Sequence, residues 1–111
     1  MAGKFELKKV SGGKFKFNLK AGNGRIILSS QSYTDKDGAK DGIASVKKAA
    51  RSDKNFERKT SKKGEAFFTL KAANGELIGS SEMYSTKSSM ENGIASVKEN
   101  APAAKVMDLT A

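Results

Sequence analysis

From Lys14 to Lys20 apolar and polar residues alternate without a break. Phe15, Phe17 and Leu19 point one way, and Lys14, Lys16, Asn18 and Lys20 point the other. That period of two predicts a strand with one buried face and one wet face. A second alternating run precedes it, Lys4-Phe5-Glu6-Leu7-Lys8-Lys9, separated by a Ser-Gly-Gly turn. A third strand, RIILSS, follows Ala-Gly-Asn-Gly, where Asn-Gly predicts a hairpin turn. Three apolar residues run together in that third strand, so its inward side is left open. The period then changes. Ala39, Ile43, Val46 and Ala50 recur at spacings of four, three and four, which places them on one face of a helix over residues 35–49. Thr34 or Asp35 can cap its start, with Asp35 and Asp37 at the positive end of the helix dipole and Lys47 and Lys48 at the negative end.

The whole pattern occurs twice. A constant offset of 51 aligns residues 5–50 with residues 56–101 without a gap, and 22 of the 46 positions are identical. The second helix, over residues 86–100, is capped by Ser85 or Thr86, carries the stripe Met90, Ile94, Val97 and Ala101, and ends at Pro102. Adding 51 once more brings Phe56-Glu57-Arg58 onto Met107-Asp108-Leu109, so a last strand is expected near the C-terminus. The predicted fold is α+β: two tandem repeats of three strands and a helix, residues 1–52 and 53–111, with a closing strand. One unit of about 50 residues has little core of its own. We therefore expect one domain and one mainly antiparallel sheet, with both helices on one face. The last strand should cross to pair in the other repeat's part of the sheet.

The hexapeptide GIASVK stands in both helices, at Gly42–Lys47 and Gly93–Lys98. Each glycine lies on the apolar stripe and costs roughly 1 kcal/mol of helix propensity against alanine. Close approach of the helix to the strands can repay that cost. The repeated residues, KAxNG, then SS-x-x-Y, then a helix with GIASVKxNA, resemble the YegP-like family of small bacterial proteins over nearly the whole chain. The resemblance implies units that assemble into one sheet with exchanged C-terminal strands. It implies no catalytic residues, because that family has no established activity. The second repeat carries the fuller motif, with Glu76, Glu82 and Asn92; the first has Arg25, Gln31 and Asp41 there.

Composition narrows the chemistry. There is no cysteine and no histidine, which removes the usual zinc sites, thiol nucleophiles and Ser-His-Asp triads. Asn-Gly lacks the GxxxxGK[ST] context of a phosphate loop. Neither a catalytic set nor a cofactor or metal site is expected, and an enzyme using Glu76, Glu82 and a lysine is the weakest of the readings. No apolar run reaches membrane-spanning length, and the first residues, MAGKFELKKV, lack the apolar segment of a signal peptide. A cytoplasmic monomer with internal pseudo-twofold symmetry is the expectation.

Charge gives the strongest functional hint. The chain has 21 basic and 12 acidic residues, a formal net charge of +9. Residues 1–55 carry 13 basic and 5 acidic side chains, +8, whereas residues 56–111 carry 8 and 7, +1. One reading is drift after duplication, or charge pairing between repeats, with Arg25 meeting Glu76 if the pseudo-twofold brings those hairpins together. The alternative is a basic face confined to the first repeat. The candidate binding surface is the sheet face away from the helices: Lys14, Lys16, Lys20 and Arg25 from the first repeat, Phe67 and Lys71 from the second. Its partner could be nucleic acid or another polyanion, with Phe67 available to stack on a base, or a protein using the same face or a sheet edge. Ser30 and Ser81 are expected to satisfy backbone groups at the strand–helix junctions, and Tyr33 and Tyr84 to pack their rings.

Overall fold

The computed structural model describes residues 3–110; the outermost residues of the two expected repeats, 1, 2 and 111, lie outside it. Seven strands form one sheet: β1 (Lys4–Val10), β2 (Lys14–Lys20), β3 (Ile26–Ser30), β4 (Phe56–Thr60), β5 (Ala66–Lys71), β6 (Leu77–Ser80) and β7 (Lys105–Asp108). Helix α1 (Lys36–Ala49) follows β3, and α2 (Lys87–Asn100) follows β6. The order across the sheet is β4-β5-β6-β3-β2-β1-β7. Every pairing is antiparallel except that of β7 with β1, which is parallel. The two hairpin sets therefore meet back to back at β3 and β6, about a pseudo-twofold axis. As expected, β7 crosses to the first repeat, where Phe5 faces Val106 and Leu7 faces Asp108.

Alternation decides which side is buried. Phe5 and Leu7 of β1, Phe17 and Leu19 of β2, and Phe68 and Leu70 of β5 are all fully shielded. They meet Ala39, Ile43, Val46 and Ala50 of α1 and Met90, Ile94, Val97 and Ala101 of α2 in one core, so both helices cover the same face. The helix starts are fixed by local chemistry. The Asp35 carboxylate accepts from the Gly38 N–H at 2.6 Å, and the Thr86 hydroxyl accepts from the Ser89 N–H at 3.0 Å.

Two details differ from the simple pattern. The Asn-Gly loops are not two-residue turns. Gly24 N–H donates to Ala21 C=O and Ala21 N–H donates to Arg25 C=O, giving a four-residue loop from Ala21 to Gly24. Only the glycine is left-handed, at φ +86° for Gly24 and +88° for Gly75. The Asn23 and Asn74 side chains instead accept from the N–H two residues on, 3.0 Å in each copy. Beyond the loop a register shift between Leu19 and Lys20 bulges the pairing of β2 with β3. That explains the run of apolar residues in β3: Leu28 faces the core, and Ile27, at the bulge, is buried as well.

The glycines of GIASVK answer to a tyrosine. A Cβ on Gly42 would lie 2.4 Å from the Tyr33 hydroxyl oxygen and 2.9 Å from Phe17 Cε2; on Gly93 it would meet Tyr84 at 2.4 Å and Phe68 at 3.2 Å. The Tyr33 ring stacks on Phe17 at 6.1 Å between centroids, and Tyr84 on Phe68 at 6.5 Å. The helix comes close to an aromatic pair standing on the sheet, and glycine leaves room for it. Ser30 and Ser81 hold the same segment. Each hydroxyl accepts from the N–H of that phenylalanine and donates to the next carbonyl, Gln31 or Glu82.

Gly42→Ala should therefore destabilise the protein by about 1–3 kcal/mol despite alanine's better helix propensity. In a Tyr33→Ala background the same change should cost much less, with Phe17 Cε2, at 2.9 Å, left to give way. Urea melts of the four proteins check this, and an unchanged cost of Gly42→Ala without Tyr33 would contradict it.

Candidate functional site

The candidate residues fall into three places. Lys16 and Lys20 lie on the open face of β2, opposite Lys8 and Lys4 of β1, and Lys14 stands at the end of the same row opposite Val10. Glu6 sits among them. Its carboxylate is 3.0 Å from Lys20 Nζ, 3.8 Å from Lys4 and 3.9 Å from Lys8. The Lys20 hydrogen bond holds the Glu6 carboxyl below the usual carboxylate range. Lys4, Lys8 and Lys20 thus surround one carboxylate, with Lys16 opposite Lys8 on the same face, an excess of three positive charges on one two-stranded surface.

The matching patch of the second repeat is nearly neutral. Glu57 bridges Lys59 and Lys71, each at 3.1 Å. Phe67 takes the place of Lys16, half-buried opposite Lys59. Two strands separate β5 from β2, so Phe67 lies about 14 Å from the lysine row. Lys71 and Phe67 share the open face with the lysines but do not extend their cluster.

Arg25 is elsewhere. It leaves the sheet at the β2–β3 loop and lines a cleft of about 310 Å³ with Glu82, Tyr84, Asn92 and Ser96 of the second repeat. Its counterpart Glu76 lines a second cleft, of about 390 Å³, with Gln31, Tyr33, Asp41 and Ser45 of the first repeat. The expected Arg25–Glu76 pair is not formed. The pseudo-twofold sets each hairpin loop against the other repeat's tyrosine and helix, rather than against the other loop. Arg25 accordingly does not belong to the basic open face. The twin clefts are what residue spacing could not reveal, since each joins a loop of one repeat to the tyrosine and helix of the other, far away in the chain. The SS-x-x-Y and GIASVK motifs mark one wall of each cleft, and A-x-N-G marks the other.

The clefts differ in charge, Arg25 and Glu82 in one, Asp41 and Glu76 in the other. Burial raises the hydroxyl pKa of both tyrosines above 10.0, helped by Glu76 at Tyr33 and by Glu82 at Tyr84. Among the described residues no group of three acidic side chains stands close enough to hold a metal ion. Among the described residues, too, no helix is long and apolar enough to cross a membrane.

This architecture defines a tandem pair of small α+β units sharing one sheet. The family described as "Domain of unknown function (DUF1508)" matches the chain twice, at residues 11–57 and 61–108. Each matched unit runs from one β-hairpin through a helix into the strand after it. The chain is 52% identical over 110 residues to the UPF0339 protein YegP of Escherichia coli K12, covering 99% of this chain and all of that one. A UPF0339 protein of Bordetella pertussis is 54% identical over 99% of this chain and 98% of its own. Two solution NMR structures have the same fold. The E. coli protein, titled as of unknown function, superposes with a TM-score of 0.94, covering 99% of this chain and 95% of that one. A Shewanella oneidensis UPF0339 protein, 45% identical, also gives 0.94, covering 99% and 93%. The chain belongs to the DUF1508 family, the YegP group of UPF0339 proteins, which has no established activity.

The tyrosine environment predicts a pH response. The folded protein holds the phenol protons more tightly than the unfolded chain, so stability should fall as pH rises past about 10. Absorbance at 295 nm should show ionisation midpoints above 10.0 that drop to the free value in urea. A folded-state midpoint at or below 10 would contradict the burial of Tyr33 and Tyr84.

Proposed function

We propose that this protein is a non-enzymatic, cytoplasmic binding module that takes a polyanion on the open face of its first repeat. The observation that carries this reading is the cluster of Lys4, Lys8 and Lys20 around the single carboxylate of Glu6, with Lys16 opposite Lys8 on the same face. Lys14 extends it, while the equivalent surface of the second repeat has its charges paired. Lysines on a flat strand pair suit phosphate or sulfate groups spaced along a chain. They contact charge without reading sequence, so the binding would be salt-sensitive and weakly selective. The lone Phe67, two strands away, supplies no run of stacking rings of the kind that reads single-stranded bases.

Binding of a labelled nucleic-acid duplex should fall steeply with salt, with a log–log slope of about −3 to −4 for the lysine cluster. Lys8→Gln/Lys16→Gln should make that slope shallower by about 2, while the control Lys59→Gln/Lys71→Gln leaves it unchanged. Binding without salt dependence, or equal losses in both variants, would contradict the assignment.

A further inference from the structure

The two ends of the sheet are not finished alike. On the first repeat, β7 lies along β1, and Leu109 N–H donates to Leu7 C=O at 2.9 Å. The Asp108 carboxylate is anchored by Lys36, at the start of α1, at 2.5 Å. The pseudo-twofold carries β1 onto β4 and Lys36 onto Lys87, at the start of α2. Yet among the described residues β4 has no outer neighbour in the sheet.

The backbone of β4 is set for one. Phe17 N–H turns toward Ser30 of β3, away from β1, so the facing Leu7 directs its own N–H and C=O outward toward β7, where the Leu109 N–H donates to that C=O. Phe68 N–H turns toward Ser81 in the same way, so Arg58 presents its N–H and C=O at the free edge. Thr60, two residues on, does likewise, while Phe56 offers its C=O alone, its N–H being bonded to the Asp53 carbonyl.

A groove of about 260 Å³ accompanies this edge, lined by Arg58, Lys59, Thr60, Ala66, Lys87, Met90 and Glu91. It corresponds to the place beside Lys36 that the Asp108 carboxylate takes at the other end. Ala66 stands where the first repeat has the larger Phe15, which widens the groove. Lys87 is exposed and, among the described residues, has no carboxylate within ion-pair distance, although its counterpart Lys36 holds Asp108. Arg58 is already engaged, bonded to Glu91 at 2.7 Å and to Asp53 at 3.0 Å, and Lys98 also holds Asp53. Those bonds draw the Asp53 pKa down to about 2. Among the described cations that line the groove, Arg58 and Lys59 are paired and Lys87 is left for an incoming acid.

We propose that the free edge of β4 is a docking site for an extended segment of a partner protein. The segment would run parallel to β4, with an apolar-apolar-acidic-apolar pattern like that of Val106-Met107-Asp108-Leu109, and set its carboxylate on Lys87. Strand addition supplies the main-chain bonds and the groove supplies the selectivity. The charged side chains of β4 guard the edge against pairing with uncharged strands.

The test is an NMR titration of the intact protein with a synthetic peptide of residues 104–111 of this chain, carrying the required pattern. Amide shifts should appear at Phe56–Thr60 and at the start of α2. Asp→Asn in the peptide, or Lys87→Gln in the protein, should weaken binding about fivefold. Thr60→Pro, which removes an outward N–H without touching the ladder to β5, should weaken it further. A well-dispersed amide spectrum shows that each variant is folded. Absence of binding, shifts at β1 from displacement of β7, or self-association through β4 in place of peptide binding would each overturn the proposal.

Discussion

The two repeats become one protein at a narrow seam. The pairing of β3 with β6 consists of two residue pairs, Ser29 with Ser80 and Ser30 with Gly79. The strands come so close that a Cβ on Gly79 would lie 2.6 Å from the Ser29 carbonyl oxygen and 3.3 Å from Leu28 Cγ. Leu28 and Gly79 occupy equivalent positions of the two copies. Near the pseudo-axis there is room for one large side chain; the first repeat supplies it, and the second gives way. A duplicated unit therefore cannot stay identical at its own seam. Strict symmetry would leave two leucines in contest there, or two glycines and a void.

Much else follows from that junction. It makes the sheet continuous, which lets α1 and α2 share one core instead of covering two marginal ones. It brings the A-x-N-G loop of each repeat over the tyrosine and helix of the other, creating the twin clefts. It also puts β1 and β4 at opposite ends, leaving a single closing strand to serve one of two equivalent edges. The charge difference between the repeats then acquires geometry. The lysine excess concentrates on the open face of β1 and β2, while the second repeat pairs its charges around Glu57 and around Arg58.

The sequence made the elements readable because their periods are clean. The alternation through Phe15, Phe17 and Leu19 and the stripe through Ala39, Ile43 and Val46 each have one packing solution, and the offset of 51 doubled every signal. Even β7 was readable: the match of Met107-Asp108-Leu109 to Phe56-Glu57-Arg58 marked the strand, and its lack of a hairpin partner pointed to the crossing. What escaped was set by contacts across the pseudo-axis. Nothing in the spacing of Arg25 could tell whether it would meet Glu76 or Glu82, because that depends on how the two hairpins approach. The glycine of GIASVK was readable as a packing residue, but not the partner, since Tyr33 reaches it from a segment with no regular period. The burial of Ile27 likewise follows from a bulge that the apolar run alone does not announce.

The central claim is that the seam makes the two repeats one cooperative unit rather than two small domains side by side. Native-state hydrogen exchange at increasing urea tests it most directly. The slowest amides of β2 and β3 and those of β5 and β6 should open with a common free energy and a common urea dependence. Two distinct opening energies, one for each repeat, would contradict it.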